Sequence, residues 1–279
     1  MTELEQIVVG RSSIPALTLT VLLMIAIPVA FFLYWRRKHR ERIKRSYLIA
    51  GAVGFLVSAR VLELGVHYVC IVLDNPVSRF LNGSTAAYVL YGVLMAGVFE
   101  ECGRHLILND LWKRGGSADK TNPALENAVL YGIGHGGIEI LAVVLPGIVT
   151  YLVIAVLFSR GPAKEAMAAL KITEDTAAAG FDFAAMALNV LERVFAMLLH
   201  IGLTVIVYDG VVTGRRLCLP LAIGLHMLTD VFPALYQKGA APLWSVELWA
   251  AFWTAAVCLL AHRAARKLRT SDHSELSGS

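Results

Sequence analysis

Four clusters of ionisable residues sit inside long apolar stretches of this chain: Glu100-Glu101-x-x-Arg104, Tyr131-x-x-x-His135-x-x-x-Glu139, His200, and His226-x-x-x-Asp230. Carboxylates and imidazoles are costly in hydrocarbon and are rarely placed there without a use. Their chemistry is that of hydrolysis. A carboxylate such as Glu100 takes a proton from water, and an imidazole N–H steadies the negative charge on an attacked carbonyl. A second carboxylate fixes the tautomer of its imidazole. Other readings of the same groups stay open at this point. Glu, His and Asp at mid-membrane also build the proton relays of transporters, or hold a catalytically silent scaffold together. Glu100, His135, His200 and His226 are also the donors for a three-ligand zinc site with an open water position, although no His-Glu-x-x-His helix is present.

Composition sets the elements that must carry these residues. The chain has 279 residues, 57% hydrophobic and 16% charged, with a mean hydropathy of +0.64. A soluble domain carries roughly 45–50% apolar and about 25% charged residues. The fold class is therefore an all-α, polytopic transmembrane helical bundle. Seven stretches reach the crossing length of about 17–25 apolar residues: 14–35, 47–73, 85–108, 125–158, 183–208, 217–236 and 243–262. The fourth is too long for one simple span. Pro146-Gly147 is expected to break it, giving a kinked helix or a span followed by a re-entrant piece, with room for an eighth crossing.

The first apolar stretch has its basic run behind it, unlike a cleavable signal peptide, and reads as a retained span. Arg36 to Arg45, Lys113, Arg114, Lys120, Arg215, Arg216, Arg263, Arg266, Lys267 and Arg269 all fall on one side of seven crossings. Basic loops stay cytosolic, so the N-terminus is expected outside and the C-terminus in the cytosol. The net charge of +4 is then a rim facing the lipid bilayer, with no nucleic-acid partner. Residues 1–269 read as one transmembrane catalytic domain and 270–279 as a disordered polar tail. A short amphipathic helix is expected within 159–182, on the outer surface. Nothing in the chain sets an oligomeric state.

Position along a helix gives depth. Counted from the cytosolic ends, Glu100, His135, His200 and His226 all lie about 8–10 residues in, roughly 12–15 Å deep. Glu139, Asp230, Glu192 and Arg193 sit about one turn further, with Arg60 and Glu63 near the same level. His135 with Glu139, and His226 with Asp230, share helix faces at i, i+4, so each carboxylate is placed either to hold its own histidine or to face the substrate directly. Glu101 with Arg104, Glu192 with Arg193, and Arg60 with Glu63 read as ion pairs holding helices in register. Gly132, Gly134, Gly136 and Gly137 allow close helix approach and weaken the helix, so local unwinding beside His135 is expected.

These motifs, in this order, resemble the CAAX-protease and bacteriocin-processing superfamily. Gly-x-Gly-His-Gly-Gly-x-Glu at 132–139, with Glu-Arg-x-x-Ala-x-x-x-His at 192–200, is similar more closely to its YhfC branch of bacterial intramembrane proteases. The resemblance covers about 47–262. It implies an intramembrane endopeptidase of a bacterial plasma membrane, with an active site near the cytosolic side and a membrane-protein or lipidated-peptide substrate. It implies Glu100 as general base, His135 as orienter of water, and His226 with Asp230 as the oxyanion-stabilising pair. Metal-free hydrolysis is the favoured reading, with zinc as the alternative. The prenyl-protein proteases space the arginine one residue further and end the last motif in Asn, where this chain has Asp230. Both departures argue against CAAX cleavage itself.

Overall fold

In hydrocarbon no water is available to bond exposed amides, so an apolar segment must satisfy its own backbone as a helix. The computed structural model describes residues 3–114, 125–160, 168–169, 173 and 180–276, and follows this rule throughout. Its long elements are α1 (Glu3–His39), α2 (Arg45–Val72), the short α3 (Pro76–Gly83), α4 (Thr85–Arg114), α5 (Leu125–Phe158), α6 (Phe183–Thr213), α7 (Cys218–Gln237) and α8 (Leu243–Leu276). All except α3 are long and apolar enough to cross a membrane, which gives seven spans among the described residues. The amphipathic helix expected within 159–182 lies almost wholly outside those residues. α8 continues through most of the stretch expected as a disordered tail, Thr270 Oγ1 returning to the carbonyls of Arg266 and Lys267.

The long fourth segment stays one helix. A π turn at Ile140–Val144 precedes Pro146, which sits in the first turn of the resumed α-helix. Proline lacks an N–H and crowds the carbonyl four residues back, and the wider turn absorbs both defects. Among the described residues this segment forms no re-entrant piece and the candidate crossings number seven. α2 carries two further π turns, Leu56–Glu63 and Tyr68–Val72.

The first half of α5 is the centre of the bundle. Every residue from Leu125 to Gly137 is buried, packed between α2 and α6. The glycines expected to unwind this helix instead let backbones touch, and Leu125–Glu139 is regular. A methyl at Gly134 would stand 2.0 Å from Leu48 O, and one at Gly51 2.1 Å from Tyr131 O. The outward faces carry large exposed apolar side chains, among them Leu22 of α1, Val61 of α2, Leu90 of α4 and Phe252 of α8, which suits contact with lipid.

Candidate active site

Four spans deliver the site, and each does so at mid-helix. α4 presents Glu100, Glu101 and Arg104; α5 presents His135 and Glu139; α6 presents Arg193 and His200; α7 presents His226 and Asp230. The residues that the depth count assigns to one layer do meet there. Glu101, Arg104 and His135 have no exposed surface, and Glu100, His200 and His226 have almost none.

Arg104 is the hub. Its Nη2 donates to Glu101 Oε1 at 3.0 Å and its Nε lies 2.9 Å from Glu101 Oε2, an ion pair within one helix. Nη1 donates to His200 O at 3.0 Å and to Thr204 Oγ1 at 2.5 Å. Nη2 also lies 3.1 Å from His200 Nδ1 and 3.3 Å from His135 Nε2. An arginine has only donors, so His200 Nδ1 accepts. The other nitrogen of that ring, Nε2, then carries the hydrogen and lies 2.6 Å from Glu139 Oε2.

Glu100 Oε2 lies 2.9 Å from His135 Nε2. His226 Nδ1 donates to Glu101 Oε1 at 2.8 Å, and its Nε2 faces Asp230 Oδ2 at 3.5 Å. The rings of His135 and His200 are 4.8 Å apart between centroids, and those of His200 and His226 5.7 Å. A cavity of about 120 Å³ opens among Glu100, Glu139, His200, His226 and Asp230. A larger one, about 400 Å³, shares Glu139, Glu192 and Asp230 with it and runs to Val72, Tyr88 and Gln237 at the helix ends. The layer thus opens toward the face carrying α3, opposite the basic loops.

Two carboxylate assignments differ from the sequence reading. Glu139 does not hold His135; it holds His200 and accepts from Arg193 Nη1 at 3.2 Å. Side chains four apart share a face, but across that face α6 offers better-placed donors. Glu63 pairs with His67 at 3.1 Å instead of with Arg60, which is exposed. Glu192 and Arg193 do pair. Thr204 was missed, although its i, i+4 spacing from His200 on a buried helix marked it. Glu247 on α8 was missed as well; it is buried, with neither carboxylate oxygen hydrogen-bonded among the described residues.

Zinc can be tested against this geometry. One oxygen of Glu100 and one ring nitrogen each of His135 and His200 lie within 4.8 Å of one another, the right donor types for zinc. Tetrahedral zinc draws such atoms to roughly 3.4 Å of one another, each about 2.0–2.2 Å from the ion. Arg104 Nη2 already stands against both imidazoles, held there by Glu101, His200 O and Thr204. The guanidinium thus competes with any divalent cation for His135 Nε2 and His200 Nδ1, while Glu100 and His200 Nε2 face the cavity.

Comparison with known proteins agrees with the layout. Residues 23–250, which contain every residue of the site, match the family described as YhfC intramembrane metalloprotease. A relative from Bacillus subtilis (strain 168), described as uncharacterized membrane protein YhfC, is 29% identical over 240 residues, covering 83% of this chain and 88% of the relative. No solved structure matches the chain. With its seven spans and its buried carboxylate–imidazole layer, the chain belongs to the YhfC intramembrane metalloprotease family.

Proposed function

We propose that this chain is an intramembrane endopeptidase that hydrolyses a peptide bond without a resident metal, using Glu100 as general base. The observation that supports this most is the Glu100–His135 contact of 2.9 Å at the wall of a small buried cavity shared with His226 and Asp230. The family's name implies a metal; the position of Arg104 favours hydrolysis without one.

In this reading a water in the cavity gives a proton to Glu100 while its oxygen bonds to the scissile carbonyl carbon. The carbonyl oxygen takes the negative charge and is stabilised by the Nε2–H of His226 in its doubly protonated form, the Nδ1–H of the same ring being held by Glu101. Collapse of the tetrahedral species breaks the C–N bond, and the proton held by Glu100 passes to the leaving nitrogen. The Nε2–H of His135 keeps the Glu100 carboxylate aimed at the water. Arg104 acts at one remove, its Nη2 hydrogens going to Glu101 and His200.

The substrate is a membrane-embedded or membrane-proximal protein segment, or a lipidated peptide, in a bacterial plasma membrane. The basic loops face the cytosol. N-terminal proteomics of membranes from a deletion host tests the proposal, with wild type and Glu100→Gln complementing at equal levels. New N-termini that depend on Glu100 are expected; identical profiles across growth conditions reject proteolysis.

A further inference from the structure

Two imidazole nitrogens and a carboxylate oxygen, the usual ligands of a metal ion, converge on one nitrogen of Arg104. His135 Nε2, His200 Nδ1 and Glu101 Oε1 lie 3.3, 3.1 and 3.0 Å from Nη2; its two hydrogens serve Glu101 and His200, and His135 turns its own Nε2 hydrogen to Glu100. The second shell matches as well. His200 turns one nitrogen to the cation and the other stands 2.6 Å from Glu139, the carboxylate–histidine–cation arrangement found around bound metals.

We propose that Arg104 is a built-in cation occupying a latent metal site, and that removing its guanidinium turns Glu100, Glu101, His135 and His200 into a site for a divalent transition metal. The inference rests on the metal-independent reading above and extends it. A guanidinium is charged at any working pH and cannot dissociate, so the chain keeps a permanent positive centre where a metalloenzyme must acquire one. Arg104 cannot easily swing away, because it is fully buried and its other nitrogens are held by Glu101, His200 O and Thr204. Without Nη2 the donor atoms need close by only roughly 1 Å each to reach zinc bonding distance.

The test uses full-length protein purified in detergent: wild type, Arg104→Ala, Arg104→Gln and Arg104→Lys. Metal content is read by mass spectrometry, Co²⁺ ligation by its visible absorption, and thermal stability with and without Zn²⁺. Wild type and Arg104→Lys are expected to hold substoichiometric metal and to melt unchanged by Zn²⁺. Arg104→Ala is expected to bind one ion per chain, show a tetrahedral Co²⁺ spectrum and melt higher with Zn²⁺. His200→Ala added to it should abolish all three. Arg104→Gln, which fills most of the same volume without the charge, takes its place if Arg104→Ala is not recovered. One tightly bound zinc in the wild type, whose removal destabilises it, overturns both the built-in cation and the metal-independent function. A folded Arg104→Ala or Arg104→Gln that binds no metal beside a metal-free wild type overturns the latent site alone.

Discussion

Gly134→Ala puts the bundle's central packing to the test without needing a substrate. The added methyl would stand 2.0 Å from Leu48 O, 2.9 Å from Leu48 C and 3.1 Å from Leu48 Cα. Ordinary contact is about 3.5 Å, so α2 must retreat from α5 by roughly 1.5 Å. The obstacle is backbone inside a helix, which cannot rotate out of the way as a side chain end does. Overpacking of this kind costs about 3 kcal/mol, while the better helix propensity of alanine returns about 1. A net loss of about 2 kcal/mol lowers the melting temperature by roughly 4–8 °C for a chain of this size. Gly147, in the same long helix, has nothing within 4 Å of a Cβ, so Gly147→Ala is the control and should melt no lower than wild type. Because His135 is the next residue, the same retreat spoils its distance to Glu100, and a misplacement near 1 Å costs about 100-fold in rate. Thermal unfolding in detergent, paired with the Glu100-dependent cleavage assay, reads both effects. If Gly134→Ala melts and cleaves like Gly147→Ala, the α2–α5 contact is not what positions His135.

Glu139→Gln keeps an acceptor for His200 but loses the charge facing Arg193, so cleavage should fall about 10–100-fold with little change in substrate affinity; an unchanged rate would detach Glu139 from the site. Asp230 stands 3.5 Å from His226, a loose contact, so Asp230→Asn should cost less than roughly tenfold, and a far larger loss would mean that Asp230 meets the substrate itself. Gln237→Cys, in a background without Cys70, Cys102, Cys218 and Cys258, should react with a membrane-impermeant thiol reagent from the face opposite the basic loops. That modification should slow cleavage by obstructing the cavity of about 400 Å³. Labelling from the basic-loop face, or labelling without effect on cleavage, would close this route to the site.

Much of the bundle was legible because one-dimensional quantities decide it. Span length follows from hydrocarbon thickness, and depth follows from the rise per residue. Hence Glu100, His135, His200 and His226 were placed in one layer before any contact was known. The partners within that layer were not legible. The spacing of His135 and Glu139 places them on one face, yet which neighbour Glu139 meets depends on how α6 crosses α5, where Gly132 stands against the backbone of His200 and Ile201. The same limit explains Gly-x-Gly-His-Gly-Gly. Glycine both weakens a helix and lets another approach, and the sequence does not say which effect prevails. Here the gain from burying Leu125 to Gly137 on all sides outweighs the propensity penalty, so the helix stays regular.

Arg104 carries that argument to its end. Its spacing from Glu101 announced an ion pair, and the pair is there. What the spacing could not give is the reach of the guanidinium across two interfaces, to α5 through His135 and to α6 through His200 and Thr204. A long side chain with donors in a rigid plane joins three helices, so a residue read as local support becomes the group around which the site is arranged. Two of the imidazoles that look like zinc ligands from residue types alone also stand, in three dimensions, against an arginine. Residue type thus limits which cations a site can hold, and packing decides which one it does hold.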